Sequence, residues 1–119
     1  MAAPNIVNVT TITGKSAGIA VTTSAAAIVA NGAGSNKVFK VNALYVSNID
    51  GTNNADITVI FYNADNTTSY HIAKTISVPA DATIDVLTKA IYLEEGDELR
   101  LAASADSDLE AVASYEEIR

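Results

Sequence analysis

Turn-forming clusters punctuate this 119-residue chain at short intervals, and the runs between them alternate apolar and polar residues. The clusters are Gly14-Lys15-Ser16, "NGAGSN" (31–36), "NIDGTNNAD" (48–56), "NADNTT" (63–68), "PADAT" (79–83), the acidic turn around Gly96, and "ADSD" (105–108). Between them, "NIVNVTTIT" (5–13) repeats with period two, as do residues 37–48, where Phe39, Val41, Ala43 and Tyr45 are expected on one face and Lys40, Asn42 and Leu44 on the other. The break at Gly14-Lys15-Ser16 is expected to end the first strand, with "AGIAVT" and "AAAIVA" following as two short ones. "DITVIFY" is apolar on both faces and reads as a central strand. No stretch sustains a capped helical period. The rhythm predicts an all-β fold: a single-domain antiparallel β-sandwich over residues 1–119, jelly-roll or Ig-like, of about eight to ten short strands.

A chain of this length buries roughly two thirds of its unfolded surface and needs no staple. It contains no cysteine, so disulfides, thiolate metal sites and thiol nucleophiles are excluded. Asn8-Val9-Thr10 and Asn66-Thr67-Thr68 match a glycosylation pattern, but no signal peptide is recognisable at the start, and the alanine-rich run 17–33 is too polar to span a bilayer. No secretory route or membrane association is expected.

The net charge is −7 and unevenly placed. Lys15 is the one charged side chain before Lys37, and all 14 acids fall from Asp50 onward. Acidity disfavours direct nucleic-acid binding. A nearly uncharged stretch over residues 1–36 is either interior to the sandwich or an assembly segment covered by neighbouring subunits, because interface cores are depleted in charge. Its apolar residues Ile6, Val7, Val9, Ile12, Ile19, Val21, Ile28 and Val29 are the candidate interaction residues.

The motifs that suggest chemistry are weak. "TGKS" (13–16) lacks the upstream glycine of a phosphate loop, since position 9 is valine. His71 is the sole histidine and sits mid-strand without a nucleophile elbow. In "DGTNNAD" (50–56) the sixth and twelfth positions of a calcium loop hold Ala55 and Phe61, so a hairpin loop is the better reading. Glu94, Glu95, Asp97 and Glu98 crowd around Gly96 on one turn, whereas a glycosidase places its two carboxylates on separate elements across a cleft. They are expected to be solvated, with Ile91, Leu93, Leu99 and Leu101 anchoring the turn to the core, and to offer at most a weak divalent-cation site or a face for a basic partner. No catalytic, metal-binding or cofactor-binding residue is assigned, and an enzyme is not expected.

The strand ending in "VSN" (46–48), the "VPADAT" link (78–83), the "YLEEGD" turn (92–97), the terminal "SYEE" (114–117) and the start "MAAPNIVNVTTITGK" together resemble small virion structural proteins of tailed bacteriophages, especially marine phages of cyanobacteria. The resemblance implies β-sandwich subunits attached to capsid, neck or tail and repeated by the particle's symmetry. It implies a decoration or cement subunit made in the host cytoplasm and carried in the virion. The partners would be its own copies, as a homo-oligomer such as a trimer, and the major capsid, neck or tail proteins. A host-glycan or receptor-binding module is the competing class, disfavoured by the absence of tryptophan.

Overall fold

The alternation of β-branched and aliphatic residues with polar ones is realised, among the residues described by the computed structural model (8–119), as nine strands in two antiparallel sheets. They are β1 (Ile12–Val21), β2 (Ala26–Ala30), β3 (Val38–Asn48), β4 (Ala55–Asn63), β5 (Thr68–Val78), β6 (Thr83–Asp85), β7 (Ile91–Leu93), β8 (Glu98–Ala103) and β9 (Leu109–Ile118). One sheet has the order β1-β9-β3-β6, with β7 also paired to β3; the other has the order β2-β8-β4-β5. Together they form a β-sandwich. Its core is aliphatic: Val41, Leu44, Val46, Ile57, Val59, Leu93, Leu99, Leu101 and Leu109 are buried between the sheets.

The chain passes from one sheet to the other at nearly every connection, and only β4–β5 and β6–β7 stay within a sheet. This is jelly-roll connectivity. Two loops read from sequence as joining neighbouring strands are therefore arches between sheets: residues 49–54 join β3 to β4, and the acidic turn joins β7 to β8. β4 is central as expected, flanked by β8 and β5.

Two strand expectations are corrected. In β3 the register against β9 shifts between Val41 and Ala43, so Asn42 is an extra, bulged residue. The bulge reverses the alternation beyond it: Leu44 and Val46 are buried while Tyr45 faces solvent, opposite to the simple period-two reading. It also divides the far side of β3, where Phe39–Val41 pair with β7 and Tyr45–Ser47 with β6. In β1, Gly14-Lys15-Ser16 does not break the strand; pairing with β9 runs without a shift from Ile12↔Ile118 to Val21↔Leu109. That strand begins at Ile12 and not at Asn5. Thr10 and Thr11 both donate their N–H groups to the Arg119 carbonyl, which turns the chain out of the ladder at that point, and Asn8 to Thr11 are not strand. Residues 5–7 of the expected strand lie outside the described residues.

Candidate assembly edge

The described part of the nearly uncharged N-terminal third forms two edge strands, β1 and β2, rather than interior ones. Val21, Ile28 and Val29 are buried in the domain's own core, which removes them as contacts to neighbours. Ile19 packs partly against that core, Val9 is half-buried, and Ile12 is 55% exposed; Ile6 and Val7 lie outside the described residues. Of the six candidates among the described residues, Val21, Ile28, Val29 and in part Ile19 thus serve the fold.

What remains on β1 is backbone. Thr11 and Arg119 exchange both main-chain hydrogen bonds, at 2.8 and 3.0 Å. Hydrogen-bonded and non-hydrogen-bonded pairs alternate along an antiparallel ladder, and the register has no shift. Thr13, Lys15, Ala17 and Ile19 therefore bond to β9, while Ile12, Gly14, Ser16, Gly18 and Ala20 direct their N–H and C=O groups away from it. No other strand pairs on that side among the described residues. After Ile12, the side chains in these positions are all small, and a shallow depression of about 280 Å³ lies over Gly18, Ala20, Glu110 and Val112. This edge is hard to see in sequence, because its groups are main-chain and its side chains inconspicuous; the signal available was a long strand with a single charge and no proline.

β1 is fastened by an ion triad. Glu117, 6% exposed, accepts from Lys15 Nζ at 3.1 Å and Lys37 Nζ at 3.0 Å. The Lys37 and then the Lys15 hydrogen bonds hold its carboxyl below the usual glutamate range, against the opposing effect of burial. A depressed folded-state pKa contributes stability that is present above the unfolded pKa and is lost as pH falls through the folded value. Glu117→Gln is accordingly expected to cost about 1–2 kcal/mol at neutral pH, given the partial exposure of both lysines. It should also flatten the decline of stability below about pH 4.5. Urea titrations of both proteins across that range measure the difference; parallel pH profiles would show that the triad does not stabilise the fold.

The acidic turn is not uniformly solvated. Asp97 is buried: its Oδ1 accepts the Ala64 N–H at 2.9 Å and its Oδ2 the Glu94 N–H at 3.0 Å. Its carbonyl accepts from the N–H of Asn31, whose own carbonyl accepts from that of Gly96. The buried Asn31 amide donates to the carbonyls of Lys37 and Leu93. Glu95 accepts the Asn36 N–H at 2.9 Å and Glu98 accepts from Arg100 at 2.8 Å, leaving Glu94 as the member directed to solvent. Arg100 also lies over the Tyr62 ring, 4.3 Å from its centre. Leu93, Leu99 and Leu101 anchor the turn in the core, with Ile91 packed against it. Among the described residues no three acidic or histidine side chains are arranged to hold a metal.

The remaining candidates are peripheral. His71 is exposed on edge strand β5, opposite Ile60. Asp50 accepts from the Thr52 and Asn53 N–H groups and from the Asn53 amide, a self-contained turn that lowers its pKa, Thr52 contributing most. Exposed apolar residues not signalled by sequence pattern are Tyr70, Ile72 and Ile76 of β5, and Tyr45 and Val112 on the outer face of the first sheet.

The chain matches no protein-family model and no curated protein. Among solved structures it is similar to a chain from Bacillus endospore appendages, described as a novel family of disulfide-linked pili. The match has a TM-score of 0.54 and 17% identity, over 98% of this chain and 95% of that one. The likeness is one of fold. It spans both chains nearly end to end, so the same sandwich accounts for each.

Proposed function

We propose that the chain is a non-enzymatic structural subunit of a phage virion, acting as a decoration or cement protein on the head that binds the particle and its own copies. The observation that carries this reading is the β1 edge: ten strand residues in unbroken register on one side, unpaired on the other among the described residues, in a segment almost free of charge. Such an edge is a template for another strand. The "VPADAT", "YLEEGD" and "SYEE" resemblance supplies the setting, and the use of a similar fold by a pilus protein supports an assembling role. That pilus is disulfide-linked; this chain has no cysteine, so its contacts with copies of itself would not be disulfides. A neck- or tail-attached component is the alternative placement. Electron microscopy of intact particles tests the reading. Symmetry-repeated density that fits this sandwich on the head is expected, density at the neck or tail would move the placement, and absence of the protein from particles would overturn the proposal.

A further inference from the structure

The geometry points to a symmetric pairing of β1 with β1 of a second copy, antiparallel about a two-fold axis at Ala17. This rests on the assembling-subunit reading and names the partner. Four other strands lie at sheet margins and are poor templates. β2 has five residues and a register shift at Ile28; β6 and β7 have three residues each. β5 is long but has two register shifts, a positive φ at Thr75 and an exposed Lys74. Bulges, shortness and lysines are the devices that blunt an edge. β1 has ten residues and no shift, and its one charge, Lys15, is engaged by Glu117.

Charge admits a second copy as the occupant at this edge. At −7 overall, two copies repel over most approaches, yet β1 carries no acid, and all 14 begin at Asp50. Parity then restricts the register. The free N–H and C=O groups belong to Ile12, Gly14, Ser16, Gly18 and Ala20, so even-numbered residues must face even-numbered ones. The longest ladders that satisfy this are centred on Ser16 or on Ala17. Centring on Ser16 sets the two Lys15 residues diagonally across the junction, roughly 7–8 Å apart. Centring on Ala17 separates them by about 14 Å along the strands, beyond the screening length at physiological salt. In the Ala17 register Gly14 faces Ala20 and Ser16 faces Gly18, so the outer face meets through small side chains without clash. The nearest acids, Glu116 and Glu110, pair with Gly14 and Ala20 on their own β9 strands and stay about three strand spacings apart across the junction.

Light scattering across a concentration series, together with single substitutions, tests the pairing. A dimer is expected for the unaltered chain. Proline is tolerated on an edge strand where its missing N–H faces outward, so Ser16→Pro should keep its circular dichroism while weakening the dimer roughly tenfold or more, one outward bond being lost from each copy. Ala17→Cys should form an interchain disulfide on mild oxidation, since a non-hydrogen-bonded pair sets its Cα atoms about 4.5 Å apart. Ser16→Cys, opposite Gly18 of the other copy, should not. The cysteine-free background makes both results unambiguous. A single-chain mass at every concentration with no Ala17→Cys cross-link overturns the pairing. So does an oligomer unaffected by Ser16→Pro with Ala17→Cys unlinked, which would place self-association elsewhere and leave the structural-subunit reading standing. A β1-dependent dimer from a protein absent from particles would support the pairing and sink the virion assignment.

Discussion

Asp97→Ala is expected to lower the free energy of unfolding by about 4 kcal/mol, with a fall in the urea midpoint at unchanged slope. The reason lies in what the carboxylate joins. Its two oxygens serve N–H groups from different loops, Ala64 after β4 and Glu94 after β7. Alanine would leave both donors without their acceptor beside a buried position, and each orphaned group costs about 1–3 kcal/mol. Asp97→Asn keeps one acceptor and should lose about half as much. A loss below about 1 kcal/mol for the alanine variant would mean that water enters and replaces the carboxylate.

The neighbouring position gives the second large effect. Gly96 has φ of +88°, and a Cβ placed there would come within 2.7 Å of the Ala64 Cβ. Gly96→Ala therefore combines backbone strain with a collision against backbone-anchored carbon, and should destabilise by about 3 kcal/mol. The two causes separate in a double-mutant cycle. Ala64→Gly removes the collision but not the strain, so the Gly96→Ala/Ala64→Gly protein should recover part of the loss relative to Ala64→Gly alone. Strict additivity would show that the contact with Ala64 is irrelevant.

These effects arise in the stretch that looks most like a functional site when only the sequence is read. Four carboxylates on one turn suggest ligand chemistry because their partners are invisible locally. Asn31 and Ala64 lie more than thirty positions away along the chain, and only the fold brings them to Asp97. The anchoring of the turn by Leu93, Leu99 and Leu101 was legible, since alternation alone requires it. The all-β class was legible for the same reason. The facing of β3 beyond Asn42 was not, because one bulged residue inverts every later side chain while leaving composition and strand length unchanged. Gly14-Lys15-Ser16 misled in the opposite sense: its composition favours a turn, but a ladder to β9 and the Lys15–Glu117 contact hold it extended. The scarcity of charge before Lys37 was visible in the sequence, and its location on edge strands was beyond what periodicity can reveal.

The divided far side of β3 has a consequence for growth. Where β6 and β7 each cover three residues of β3, the sheet ends in two fragments with a gap between them, and no continuous strand is presented to a newcomer. Among the described residues, that sheet therefore offers a continuous unpaired strand at β1 alone. In a pair joined there about a two-fold axis, the same broken margin would close both ends of the combined sheet, so that sheet would not grow further.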